Sequence, residues 1–272
     1  MNTNYDEIRG KKVLLFSGGM DCYIISQLED PDVLLYLNNN SNYAKDEIQF
    51  LKSKQEEGLF KNLKIVDFMD MSALERSDYI IPSRNAYFIL RAAEFGDEII
   101  LGATSGDRST DKDYTFAGQM TALLNHIYEK SHWVGERSRN IHVNFKYKDF
   151  TKQMLIKALI EKRRVQMNLS FGDATAFVVE ELCNNSTSCY DFKESEGRRY
   201  ACGVCKPCTR KWLAILGATG YDASKLFHTN PRDYFTPEVI DQWIAKESGP
   251  NNRGPESKEI IDILLKLKEG RI

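Results

Sequence analysis

Six cysteines carry the most explicit chemistry in the chain: Cys22, Cys183, Cys189, Cys202, Cys205 and Cys208. The last three stand as Cys-x2-Cys-x2-Cys in CGVCKPC. In a reducing compartment such clustering favours a metal site over disulfides. Thiolates suit tetrahedral zinc, and a Cys-x2-Cys turn brings two sulfurs to one ion, with Gly203 and Pro207 placed to supply the bends. The fourth ligand is either Cys183 or Cys189. Cys189 is the nearer, separated from Cys202 by the charged stretch YDFKESEGRRYA, expected to be a solvated loop. Four thiolates leave no coordination position for an activated water, so a structural zinc is expected.

A second constellation sits near the start. The apolar run Val13–Phe16 leads straight into Ser17-Gly18-Gly19-Met20-Asp21-Cys22 and then into the helical Tyr23-Ile24-Ile25. Glycines let a ligand approach the backbone, and the first N–H groups of a helix have no partner within it. The helix dipole adds about 0.3–2 kcal/mol for an anion at that end. This predicts a phosphate-binding turn, with Ser17 as a hydroxyl donor and Asp21 as a Mg²⁺ partner or a residue fixing the loop. Neither GxxxxGK[ST] nor GxGxxG occurs, which excludes a Walker A loop and the dinucleotide turn.

These groups need a scaffold. Apolar runs at Val13–Phe16, Val33–Leu37, Ile65–Phe68, Ile99–Leu101 and Ile141–Val143 alternate with predicted helices over 20–29, 44–58, 84–95, 116–130 and 151–163. The alternation predicts an α/β protein with a doubly wound, parallel, five-stranded sheet. Residues 1–180 read as an α/β domain that carries the phosphate-binding turn. Residues 181–272 read as the cysteine motif and a small helical C-terminal region ending in a helix over 256–268. With 42% hydrophobic residues the chain can bury a substantial core. Lys and Arg (37) nearly balance Asp and Glu (39), so the electrostatic footprint of a nucleic-acid or membrane-surface binder is missing. No apolar run reaches the roughly 18–20 residues that span a bilayer, and MNTNYDEIRGKK lacks a signal peptide's apolar core. A cytoplasmic protein is expected. His126, His132, His142 and His228 show no metal spacing and receive no role.

Together these motifs resemble a known family. FSGGMDC is similar to the SGGxDS pyrophosphate loop of N-type ATP pyrophosphatases (the PP-loop superfamily), with Cys22 where Ser is usual. IPSRN (Ile81 to Asn85), IILGATSGD (Ile99 to Asp107) and Thr151-Lys152 opening a helix resemble further blocks of the QueC family, the 7-cyano-7-deazaguanine synthases. So does TSCY (Thr187 to Tyr190) followed by CGVCKPCTR (Cys202 to Arg210). The resemblance spans about residues 12–216.

It implies an adenine nucleotide alpha hydrolase-like fold, ATP and Mg²⁺, and a structural zinc on Cys189, Cys202, Cys205 and Cys208. The family chemistry it implies is adenylation of 7-carboxy-7-deazaguanine, loss of pyrophosphate, displacement of AMP by ammonia to give an amide, and a second ATP-driven dehydration to the nitrile. Nucleotide contacts are then implied for Phe16, Ser17, Gly18, Gly19, Met20, Asp21, Cys22, Arg84, Asn85 and Gly102. Catalytic roles fall to Ser17, Asp21 and Lys152, and substrate contacts to Asp107 and Asp113. Read without the resemblance, Arg84 is a phosphate fork or a surface arginine, Asn85 a helix cap, and Asp107 a magnesium or substrate contact or a turn residue. Lys152 is a helix-start cation suited to a phosphate or carboxylate, or a solvated lysine.

Two segments depart from the family pattern. Tyr36-Leu37-Asn38-Asn39-Asn40 stands where Tyr-Gly-Gln is usual. Thr110-Asp111-Lys112-Asp113-Tyr114-Thr115 replaces Tyr-Pro-Asp-Cys-Arg, keeping only an Asp at 113, and the zinc spacer is longer than usual. The nucleotide half therefore reads as intact and the deazaguanine side as altered. Expected partners are a small deazaguanine acid and ammonia, with no membrane and no nucleic acid. The C-terminal tail offers a surface for a homodimer. Stopping at the amide, or joining the acid to another amine or to a protein as in defence-associated or phage relatives, stays open. So do a tRNA-modifying enzyme of this fold and a non-catalytic, zinc-stapled binding protein.

Overall fold

The computed structural model describes residues 5–77, 80–129, 138–189, 191–195, 198–250 and 252–272. Tyr190 of the TSCY motif, His132 and the last residue of the helix expected over 116–130 lie outside the described residues.

The elements run α1 (Tyr5–Ile8), β1 (Lys12–Leu15), α2 (Met20–Glu29), β2 (Val33–Asn38), α3 (Ala44–Glu56), β3 (Leu63–Asp67), α4 (Arg84–Ala92), β4 (Glu98–Leu101), α5 (Tyr114–Ile127) and β5 (His142–Asn144). Then come α6 (Lys152–Met167), α7 (Phe171–Asn185), β6 (Lys193–Ser195), β7 (Arg198–Tyr200), α8 (Lys206–Thr219), α9 (Pro231–Tyr234), α10 (Pro237–Ser248) and α11 (Pro255–Lys268).

Five strands make one parallel sheet in the order β3-β2-β1-β4-β5, with Val13 paired to Val33 on one side and Ile99 on the other. The order reverses at β1, and open α/β sheets bind ligands at the carboxyl end of such a switch point. The Ser17-Gly18-Gly19 turn leaves the sheet at that end.

By its contacts the chain forms two compact units. The first holds Met1–Ser17, Glu29–Ala103 and Ser109–Lys148; the second holds Gly18–Leu28, Thr104–Arg108 and Asp149–Ile272. In the first, Val13, Leu15, Leu35, Ile99 and Val143 pack with Ile89 and Ala92 of α4 and with Met120 and Leu124 of α5. The alternate residues Leu14, Leu34, Tyr36 and Ile100 are buried too. Burial on both faces is what makes parallel strands continuously apolar, each such side chain contributing about 1.5–3 kcal/mol. Tyr36 Oη donates to Glu47 Oε2 of α3 at 2.9 Å, and the Phe16 and Phe60 rings meet edge-on at 5.0 Å.

In the second unit α6 packs on α7 and α8, and α11 on α8 and α10. Helix α8 is buried from Cys208 to Leu216. Trp212 stacks on Phe235 at 5.5 Å and donates its Nε1 proton to Asp222 at 2.9 Å.

Three expectations need correction. The spacer between Cys189 and Cys202 holds an antiparallel hairpin, β6 on β7, because charge reports exposure and not the absence of a strand. Helix α6 runs past 163 to Met167, ending at Asn168 in the left-handed conformation (φ 52°), which asparagine tolerates better than most residues. Helix α5 begins at Tyr114 because the Asp113 side chain accepts the Phe116 N–H. Helix α7 has no counterpart among the predicted elements. Among the described residues no helix is long and apolar enough to cross a membrane.

Candidate functional site

The four-cysteine cluster, a candidate metal centre, is built in the second unit. The sulfurs of Cys189, Cys202, Cys205 and Cys208 lie within 4.8 Å of one another, and Cys202 Sγ is 4.0 Å from Cys208 Sγ. A zinc–sulfur bond of about 2.3 Å in a tetrahedron puts sulfurs about 3.8 Å apart, so the set fits that ion. Backbone N–H groups also point at the sulfurs. Those of Cys202 and Asp191 donate to Cys189 Sγ at 3.2 and 3.3 Å, and that of Cys205 to Cys202 Sγ at 3.3 Å. Such donors favour thiolate over thiol. Gly203 has φ +91°, and a Cβ there would lie 1.9 Å from the Thr229 carbonyl oxygen, so only glycine fits the turn. Cys183 sits on α7, outside the cluster, and Cys189 is the fourth cysteine brought to the other three.

Helix α2 begins directly after the glycine turn, where Gly18 takes φ +74°. Phe16 and Met20 bury their side chains, leaving only their backbone groups for a ligand. Ser17 and Cys22 are half-buried, and Gly102 directly follows β4. Helix α2 is fixed by Tyr23, whose Oη donates to Glu181 Oε1 at 2.7 Å while Arg163 pairs with the same carboxylate.

Asp21, in the first turn of α2, pairs through Oδ2 with the ammonium of Lys152 in the first turn of α6. Its other oxygen, Oδ1, is buried with no partner. Thr151 caps α6 by accepting the Met154 N–H at 3.2 Å, which sets the direction of Lys152. Burial opposes the Lys152 charge, but Asp21, Glu256 and Asp107 outweigh it and hold the ammonium above its ordinary pKa. Lys152 therefore stays charged at neutral pH. Asp107 closes its own loop: its side chain accepts the Thr104 N–H at 2.9 Å. The Ser105 N–H donates to the Phe150 carbonyl at 3.0 Å, tying the loop to the start of α6.

Sequence reasoning missed the C-terminal contribution. Glu256 in the first turn of α11 lies against Gly106, where a Cβ would sit 2.0 Å from Glu256 Oε2. Arg253 donates to the Gly106 carbonyl at 2.8 Å. Arg210, two residues past the last cysteine ligand, pairs with Glu256 at 2.8 Å and with Glu247. The signal in the sequence is the second glycine of the GATSGD block, Gly106. Among the described residues, the unpartnered buried side-chain atoms of the second unit are Asp21 Oδ1, Ser105 Oγ, Thr187 Oγ1, Arg210 Nε, Arg253 Nε and Glu256 Oε2. Native proteins leave few such atoms.

Arg84, Asn85 and Asp113 belong to the first unit. Arg84 Nη1 donates to Tyr43 Oη at 2.8 Å and its guanidinium lies over Phe88. Asn85 is buried and donates to Asp111 Oδ2 at 2.9 Å. Asp113 caps α5 through Oδ1 at 2.7 Å. A cavity of about 500 Å³ lies here, its wall including Ile81, Ser83, Asp111, Asp113, Phe116 and Gln119. Among the described residues its lining holds Asp111 and Asp113 and no cation, which suits a ligand rich in N–H donors.

A family model described as queuosine biosynthesis protein QueC matches residues 36–217, about two thirds of the chain. The match begins after the glycine turn and ends before α9, α10 and α11. Neither a curated protein nor a solved structure matches the chain.

Proposed function

The chain belongs to the QueC family, and from that premise we propose that it uses ATP to activate the carboxylate of 7-carboxy-7-deazaguanine and passes the acyl group to ammonia, giving the amide and then 7-cyano-7-deazaguanine. The observation that carries this reading is the Asp21–Lys152 pair at the start of α2, with one carboxylate oxygen left without a partner.

A carboxylate oxygen is a poor leaving group. Attack of that oxygen on the α-phosphorus of ATP breaks the bond to the β-phosphate and makes an acyl adenylate. Negative charge then builds on departing pyrophosphate. Lys152 and the N–H groups at the start of α2 are the charge-stabilising groups. Ammonia attacks the acyl carbon, AMP leaves with the bridging oxygen, and an amide remains. In the second round the amide oxygen is adenylated, and its loss as AMP gives the nitrile.

Asp21 Oδ1 is a hard donor of the type Mg²⁺ takes, and the ion would neutralise charge on the departing pyrophosphate. The four cysteines would hold zinc, which contributes folding free energy. In the first unit's cavity, Asp111 and Asp113 can accept from the N–H edge of a deazaguanine, with the Phe116 ring beside it. ATP and ammonia are supplied in the cytoplasm, which is the compartment this reading assigns.

A second reading draws on one observation. Thr110, Asp111, Asp113 and Thr115, from the segment that departs from the family pattern, line this cavity. That favours an altered acid or acceptor, with reaction ending at the amide or passing to another amine, a protein's included. Mass spectrometry of 7-carboxy-7-deazaguanine incubated with protein, ATP, Mg²⁺ and ammonium tests both. Nitrile supports the first reading and amide alone the second. Untouched acid with no AMP contradicts activation of this acid.

A further inference from the structure

Thr187 and Ser188 enter the sequence reading only as neighbours of Cys189, yet both touch the glycine turn. The Thr187 N–H donates to the Gly18 carbonyl at 2.8 Å, and the Met20 N–H donates to Ser188 Oγ at 3.4 Å. On one side of this pair, the buried ammonium of Lys211 donates to the carbonyl and hydroxyl of Ser186 at 2.8 and 3.0 Å. On the other side, Cys189 joins the metal centre. Four successive residues thus form a strap anchored at both ends, with the glycine turn hung from its middle.

Within the strap the Thr187 hydroxyl stands out. The residue is only 6% exposed, and its Oγ1 is buried with no partner. Burying a hydroxyl without a hydrogen bond is unfavourable, and native proteins keep such groups where something else completes them. A residue one hydrogen bond from Gly18, at the turn that opens a ten-residue helix, has an obvious counterpart in a phosphate oxygen, which only accepts.

We propose that Thr187 is a ligand of the phosphate group at the glycine turn, its hydroxyl donating to a phosphate oxygen, and that the strap makes this contact depend on the metal centre. The inference rests on the pyrophosphate-releasing reaction proposed above and adds to it a residue from outside the turn. Beyond bracing the fold, the metal centre then also holds Thr187 in place.

The test uses the full zinc-loaded chain with Thr187→Val and Thr187→Ser, titrated calorimetrically with inorganic pyrophosphate and Mg²⁺. Valine keeps the backbone N–H and the shape but removes the hydroxyl; serine restores it. The valine variant is expected to keep its zinc and to melt without ligand at or above the wild-type temperature. It should bind pyrophosphate about tenfold more weakly, and serine should recover to within about threefold. Wild-type binding with an unaffected valine variant overturns the inference alone. A wild type that binds no pyrophosphate overturns the reading beneath it. Coupling is reciprocal, so saturating pyrophosphate should slow zinc transfer to a chelator several-fold in the wild type. Equal rates with and without pyrophosphate overturn the dependence on the metal centre.

Discussion

In the metal centre four sulfurs converge on one point, and backbone N–H groups turn towards them. Around Lys152 each carboxylate comes from a different stretch of chain, Asp21 from α2, Asp107 from the loop after β4 and Glu256 from α11, and two of them keep an oxygen without a partner. One ion would complete the first arrangement. The second holds charge and hydrogen-bonding capacity in reserve. The contrast separates a cluster that one ion would complete from one that keeps unpartnered oxygens, and each can be attacked separately.

The largest effect is expected at the metal centre. Cys205→Ala should abolish stoichiometric zinc and remove several kcal/mol of stability, because metal affinity there is folding free energy. Metal analysis and thermal melting check this, and a zinc-free wild type with an unchanged melting temperature in the variant would erase the contrast. Lys152→Met should do the reverse. Zinc and overall fold are expected to persist, while pyrophosphate release falls by roughly 100-fold or more, the scale for losing one charge-stabilising group.

A third prediction uses a fully partnered carboxylate as the control. Glu29 in the first unit offsets its burial through Lys146, Tyr147 and Lys12, which together hold it down to about 2. Its pKa in the folded chain lies below the unfolded value, so its contribution is present above about pH 4.5 and is lost as pH falls towards 2. Acid titration of stability should show a loss of about 1–2 kcal/mol in that window, the full shift being reduced by solvent screening, that Glu29→Gln lacks. Parallel curves would remove Glu29 as a satisfied ion cluster.

The smallest effect concerns the C-terminal clasp. Gly106→Ala should cost about 1–3 kcal/mol by forcing its methyl group against Glu256, and Gly106→Ala with Glu256→Ala should recover part of it. Strict additivity of the two changes would mean that they do not touch.

The same contrast explains what can be read from the sequence. Identical donors at Cys-x2-Cys-x2-Cys spacing announce a metal, and apolar runs such as Val33–Leu37 announce buried parallel strands. The glycine turn is legible because one continuous segment carries strand end, glycines and helix start. The cluster around Lys152 draws on residues 21, 107, 152 and 256, and neither periodicity nor spacing joins positions so distant. Asp113 shows a different limit: an aspartate before an apolar helix reads equally as a ligand or a cap, and here its Oδ1 accepts the Phe116 N–H while the residue also lines the cavity. Helix α7 is hard to see because only Asn168, Leu169 and Ser170 separate it from α6.

The most direct test of the account follows one oxygen atom. 7-Carboxy-7-deazaguanine carrying ¹⁸O in its carboxylate is incubated with the protein, unlabelled ATP, Mg²⁺ and ammonium, and the nucleotide product is weighed. Activation at the glycine turn sends one carboxylate oxygen out on AMP, so AMP carrying a single ¹⁸O is expected. Unlabelled AMP, or ADP in its place, would contradict the acyl-adenylate step.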